Sequence, residues 1–170
     1  NVNKTIEFIK NNTIIKKTNN KEICFNKKTN KIIKALIIVN VFGNATKLDE
    51  LVNLCKSYNI SLIEDATESL GTIYTKGKYK NKHCGTIGLF GCLSFNGNKI
   101  ITSGGGGMIL TKSKLLAKKA RYLINQSKDD PINFIHNNIG YNYRLSNLHA
   151  SLGLSQFKKI QYILNKKRFI

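Results

Sequence analysis

Apolar residues along this chain alternate between two periods. Ile6 and Ile9 fall at helical spacing within residues 3–11, and Leu48, Leu51, Val52 and Cys55 share one face of an amphipathic helix over residues 47–58. Between them lie two strand-like runs, residues 22–25 and 32–39. The second is apolar almost throughout, as a strand buried on both faces of a parallel sheet must be. Residues 60–63 form a further short strand that ends in Glu64-Asp65, and strand, helix, strand in this order specifies a right-handed βαβ unit. Residues 71–74 and 87–95 read as strands joined by a lysine-rich turn around Gly77, and residues 108–110 as another short strand. Ser113 caps a helix over residues 114–124. Residues 125–143 are irregular and contain the only proline, Pro131; a loop of that length in a compact domain is usually functional or meets another subunit. A last long helix starts at Ser146, with Leu148, Leu152 and Phe157 among its apolar positions.

At 170 residues and 41% hydrophobic composition the chain can bury one ordinary core. No apolar run approaches the roughly 18 residues that cross a bilayer, and the start, Asn1 to Thr5, has neither a leader pattern nor a methionine, so the chain is expected to begin partway through a longer protein. The four cysteines, Cys24, Cys55, Cys84 and Cys92, are far apart with no CxxC pair, which points to a reducing, cytoplasmic setting. The net charge of +19 would raise nucleic acid as a partner, but the lysines are scattered over nearly every turn and helix face without interleaved aromatics. A solvated basic surface that favours small anionic substrates is the better reading.

The most informative stretch is residues 94–107, Ser-Phe-Asn-Gly-Asn-Lys-Ile-Ile-Thr-Ser-Gly-Gly-Gly-Gly, which hands Lys99 from a β-like run into a glycine-rich turn. A lysine becomes a nucleophile only when desolvation or nearby positive charge lowers its affinity for the proton. Lys99 follows an uncharged flank, residues 87–95, and precedes Ile100-Ile101, whereas most other lysines lie among Asn, Lys and Thr. Asp65 stands at the end of a strand, the edge at which open α/β sheets bind ligands; an N-cap for the segment starting at Ala66 is the alternative. Ser94 could equally be an ordinary strand serine, and Gly104 to Gly107 a flexible turn, since no Gly-Lys-Ser/Thr completes a P-loop. His83 beside Cys84 lacks the second close ligand pair of a zinc site.

Four blocks in order, residues 63–71 (Ile-Glu-Asp-Ala-Thr-Glu-Ser-Leu-Gly), 85–88 (Gly-Thr-Ile-Gly), 91–99 (Gly-Cys-Leu-Ser-Phe-Asn-Gly-Asn-Lys) and 140–147 (Gly-Tyr-Asn-Tyr-Arg-Leu-Ser-Asn), resemble the DegT/StrS-type nucleotide-sugar aminotransferases over roughly residues 35–157. The Asn-Gly-Asn-Lys form is most similar to the bacillosamine/legionaminic-acid branch. The resemblance implies an α/β fold, the large domain of fold-type I enzymes that use pyridoxal 5'-phosphate, a mostly parallel sheet flanked by helices and truncated at both ends. Residues 1–157 would be the central part of that domain, and 158–170 the start of the connection to a small domain. It implies that Lys99 bonds covalently to the cofactor aldehyde and later moves a proton, that Asp65 pairs with the pyridine nitrogen, and that Ser94 donates to the phosphate. Glu68 takes the place near the ring where relatives often carry Gln or His. Asn142 would reach the phosphate of a neighbouring subunit's cofactor and Arg144 the substrate side, so a homodimer completes the site. The implied reaction aminates a UDP-linked 4-keto-6-deoxy sugar with glutamate as donor. Three positions depart from the family pattern: Leu89, Phe90 and Asn40. A dehydratase relative would carry histidine in place of Lys99, and a non-catalytic remnant of the fold is the competing reading.

Overall fold

A computed structural model describes residues 1–170, and its internal contacts divide them into two units, Asn1–Leu93 and Ser94–Ile170. The first unit opens with α1 (Val2–Asn12), capped by the Asn1 side chain, which accepts from the Lys4 N–H. The antiparallel hairpin β1 (Thr13–Thr18) and β2 (Lys21–Asn26) follows. Its turn is Asn19-Asn20, both at positive φ (49° and 61°). That is the two-residue geometry whose twist matches the strands, and asparagine tolerates it better than other side-chain-bearing residues. β1 is absent from the sequence expectations because Thr-Ile-Ile-Lys-Lys-Thr shows no alternation.

β3 (Ala35–Val39), a short 3-10 turn (Val41–Gly43), α2 (Asp49–Ser57) and β4 (Ser61–Asp65) form the expected strand, helix, strand unit. β3 and β4 are parallel, with Val39 opposite Asp65, and β4 is parallel to β5 (Phe90–Ser94), with Asp65 opposite Cys92. α2 contributes the buried residues Leu51 and Cys55, which join Ile38, Leu62, Ile9 and Cys24 in one core. The pleat sends Ile38 and Glu64 inward, whereas Ile37 and Val39 on the other face are 62% and 47% exposed. Covering only one face departs from the expectation of a strand buried on both.

Two expected strands are corrected. Residues 71–74 make only an isolated bridge, Ile73 to His83, and residues 87–89 stay outside β5. The reason for the second lies in the glycines: a Cβ on Gly88 would sit 2.6 Å from the Leu62 carbonyl oxygen, and one on Gly91 would overlap the backbone of Gly85. The segment before β5 therefore presses backbone to backbone on its neighbours and cannot continue the ladder.

The second unit carries β6 (Gly107–Leu110), α3 (Lys114–Ile124), a small hairpin of β7 (Lys128–Asp130) and β8 (Ile135–His136), and two helices, α4 (Asn147–Phe157) and α5 (Ile160–Phe169). Ser113 caps α3 as expected, its hydroxyl accepting from the Leu116 N–H at 3.2 Å. Ser146 likewise starts α4, but the expected single long helix breaks at Lys158-Lys159. Leu148, Leu152 and Phe157, the apolar positions of α4, are exposed.

Candidate active site

In the first unit the chemistry gathers at the carboxyl ends of β3 and β4. The Asn40 N–H donates to the Asp65 carbonyl at 3.0 Å, and the Ala66 N–H donates to the Cys92 carbonyl at 2.9 Å, so the end of β4 is tied on both sides. Asp65 projects to the open face, on the side of Ile37 and Val39, and is half-buried. No helix follows it, which removes the N-cap alternative; instead Oδ1 accepts from the Thr67 N–H at 3.2 Å and closes a turn two residues long.

Glu68 has a structural duty. Its Oε2 accepts from the Phe42 N–H at 2.7 Å, and Thr72 donates its hydroxyl to the Gly43 carbonyl at 2.9 Å. These bonds hold the turn after β3, where Phe42 sits at φ 51° and is 85% exposed. A non-glycine residue in the left-handed region is costly, and such residues persist only where neighbours over-determine them. Asn40, one of the departures from the family pattern, is fully buried: Oδ1 accepts from the Thr46 N–H at 3.0 Å, and Nδ2 has no partner.

Glu64 was not singled out in the sequence. It is fully buried, and its carboxylate accepts three backbone N–H groups: Gly85 at 2.8 Å on Oε2, and Ile87 at 2.6 Å and Gly88 at 2.7 Å on Oε1. Burying an anion is costly unless hydrogen bonds replace its water, and here three amides do so. Tyr74 and Cys84 feel it: burial raises the affinity of both groups for their protons, and the Glu64 charge acts in the same direction. The available signal was a charged residue at an inward position of an otherwise apolar strand.

In the second unit Ser94 ends β5 and Lys99 lies in the turn beyond it, its N–H donating to the Asn96 carbonyl at 3.1 Å. Lys99 is half-buried, less enclosed than its apolar flank predicts. The turn is anchored on Phe95, whose carbonyl accepts from Ser103 N–H and Thr102 Oγ1 and whose N–H donates to Gly106. Gly104 and Gly106 adopt φ of 80° and 83°, which the reversal into β6 requires. The Thr102 N–H also donates to Gln156 Oε1 on α4 at 2.9 Å. Asn142 and Arg144 lie together and exposed, with Arg144 Nε donating to Asn142 Oδ1 at 3.2 Å, and the rings of Tyr141 and Tyr143 stack with centroids 5.4 Å apart. Residues 125–143 are less irregular than expected. Asp130 caps the β7–β8 turn by accepting from the N–H groups of Ile132 and Asn133, and Asp129 accepts from the Asn137 N–H.

Taken each within its own unit, the residues are of the types pyridoxal phosphate takes: Asp65 in the first offers a carboxylate, and Ser94 and Lys99 in the second offer a hydroxyl and an amine. The model of the DegT/DnrJ/EryC1/StrS aminotransferase family matches residues 9–170. EpsN of Bacillus subtilis, named a pyridoxal phosphate-dependent aminotransferase, is 44% identical over 144 residues, covering 85% of this chain and 36% of that protein. GDP-perosamine synthase of Escherichia coli O157:H7 is 38% identical over 142 residues, 84% of this chain and 37% of that one. The structure of Helicobacter pylori PseC, an aminotransferase involved in the biosynthesis of pseudoaminic acid, superposes with a TM-score of 0.67 at 30% identity, over 76% of this chain and 34% of PseC. The chain thus spans little more than a third of the length of the relatives it matches.

Proposed function

The chain belongs to the DegT/DnrJ/EryC1/StrS aminotransferase family, and on that premise we propose that it carries the cofactor-binding centre of an enzyme that aminates a nucleotide-linked 4-keto-6-deoxy sugar, with glutamate as amino donor. The observation that carries the reading is Asp65: a carboxylate at the end of a parallel strand, on the open face, with one oxygen engaged by Thr67 and the other left for a ligand.

When bound, pyridoxal phosphate supplies an aldehyde for imine exchange and a ring that takes up the electrons of a broken C–H bond. Asp65 would hold the proton on the ring nitrogen, which only an anionic partner does well. Ser94 would donate its hydroxyl to the phosphate. Lys99 would hold the aldehyde through Nζ, and the same Nζ would take and return the transferred proton. One side chain is therefore both tether and base. Glu68 would line the ring side of the site while its Oε2, accepting from the Phe42 N–H, holds the turn after β3. Asn142 reaches a neighbouring subunit's phosphate and Arg144 the sugar-nucleotide side, in a homodimer for which the exposed Leu148, Leu152, Leu154 and Phe157 of α4 offer apolar surface. All four cysteines are free, which supports a reducing, cytoplasmic setting; no helix is long and apolar enough to cross a membrane. Relatives act on both GDP- and UDP-linked sugars by their names; a UDP sugar is the substrate we assign from the Asn-Gly-Asn-Lys form around Lys99.

The test is borohydride reduction of the purified chain incubated with stoichiometric pyridoxal phosphate, followed by peptide mass mapping. The expected result is one reduced cofactor on the peptide bearing Lys99, its loss in Lys99→Ala, and weakened uptake in Asp65→Asn. An unmodified Lys99 peptide, with label spread over surface lysines, overturns the assignment.

A further inference from the structure

Glu64 and Asp65 are adjacent carboxylates with opposite surroundings, and the structure shows what the inner one does. Glu64 stands opposite Gly91 in the parallel pairing of β4 and β5, while Asp65 stands opposite Cys92. Because Gly91 has no side chain, the backbone of Gly85 packs directly on it, and the Gly85–Gly88 loop comes close enough for the Glu64 carboxylate to gather its amides. The next residue, Leu89, donates to the Leu62 carbonyl at 2.7 Å and begins the approach to the ladder. One anion thus ties down the segment that feeds β5 at the point where its register against β4 is set. We propose that Glu64 is a positioning residue: by closing on the amides of Gly85, Ile87 and Gly88 it fixes β5 against β4 and so holds the Asp65 carboxylate in place beside Cys92.

The argument is one of rigidity. Register in a sheet is set by side-chain pattern and by the turns that deliver each strand. The connection from β4 to β5, residues 66–89, contains no helix and only one isolated bridge, so it has little regular structure of its own to fix where β5 begins. The three charge-assisted bonds supply that constraint from within β4 itself. They leave the acting carboxylate one residue on, facing the other way, with its backbone clamped between Asn40 and Cys92. The functional consequence rests on the assignment of Asp65 as the cofactor's anion, but the placement does not.

Cys92 provides a reporter that requires no cofactor. Burial, and then the Asp65 charge, push its thiol above the usual range, so the pH profile of Cys92 alkylation reads how closely Asp65 is held. The experiment compares the wild-type chain with E64Q, D65N and the double variant, following amide exchange at Gly85, Ile87 and Gly88 and iodoacetamide labelling of Cys92 by peptide mass spectrometry. In E64Q one amide must face an NH2 group in place of an acceptor. The expected result is exchange on the order of tenfold faster at Gly85 and a Cys92 midpoint lower than wild type, with a smaller displacement when D65N is already present. Should E64Q fail to fold, E64D keeps the anion, shortens its reach, and is read in the same way. Faster loop exchange with an unchanged Cys92 profile would mean that Glu64 holds the loop alone, and unchanged exchange would mean that its three bonds constrain nothing; either overturns the proposal. Neither readout depends on cofactor uptake, so failure of the Lys99 labelling leaves this test standing.

Discussion

Replacing Gly91 by alanine attacks the closest backbone approach in the first unit. The new Cβ would overlap the Gly85 carbonyl oxygen and lie 2.6 and 2.7 Å from the Gly85 carbonyl carbon and Cα. Ordinary contact begins at 3.4 Å, so the loop must retreat by more than an ångström to clear the Gly85 carbonyl oxygen. That retreat strains the core by about 1–3 kcal/mol, the usual cost of overpacking. It also stretches the Glu64–Gly85 bond, a charged hydrogen bond that contributes about 1.5–3 kcal/mol. Together these come to about 2.5–6 kcal/mol. With a urea slope of about 2 kcal/mol per molar, the midpoint should fall by about 1.2–3 M. Gly97→Ala is the internal control, because nothing lies within 4 Å of its added Cβ; it should be neutral or stabilising by up to about 1 kcal/mol through the unfolded chain. Urea titration followed by circular dichroism measures both. A Gly91→Ala midpoint within about 0.3 M of wild type, at unchanged slope, would refute the reasoning, since the loop would then have given way at no cost.

The cysteine thiols offer a second measurement. Burial raises Cys55 and Cys84, and burial with Asp65 raises Cys92, so all three should react with iodoacetamide at neutral pH far more slowly than in urea-unfolded chain; labelling at the unfolded rate in native buffer would contradict the burial. The β7–β8 hairpin gives an acid-side prediction. Asp129 is held below the usual carboxylate range first by the Asn137 N–H, and Asp130 first by the Asn133 side chain. A depressed folded value means the stabilisation is fully present above the unfolded value of about 3.9 and is lost as pH falls through the folded one. Amide exchange at Ile132, Asn133 and Asn137 should therefore lose protection only below about pH 4, and earlier loss would remove the carboxylates as its cause.

Much of the first unit was legible because its signals are local. α2 announces itself by the spacing of Leu51 and Cys55, β4 by an apolar run ending in acids, and α3 by a serine cap that the structure reproduces at Ser113. What escaped depends on distant partners. The turn at Val41–Gly43 exists because Glu68 and Thr72, some 26 and 29 residues on, hold it. Residues 87–89 have strand composition, yet Glu64 claims the amides of Ile87 and Gly88 before a ladder can. The break at Lys158-Lys159 has no Gly or Pro to mark it. Of the candidate residues, Lys99 is marked by its apolar flank and Asp65 by its place at a strand end, whereas Glu64 reads as the lesser member of an acidic pair.

The side-chain period of two in β4 gives that pair a fragility peculiar to strands. Deleting Leu62 would preserve charge and motif, yet it would turn the adjacent carboxylates over together: the one on the open face would be sealed inside with its charge unmet, and the one in the interior would be left outside with three amides abandoned. Sequence comparison would still score such a chain as intact. Its chemistry would be gone, because what distinguishes these two acids is parity along the backbone rather than identity.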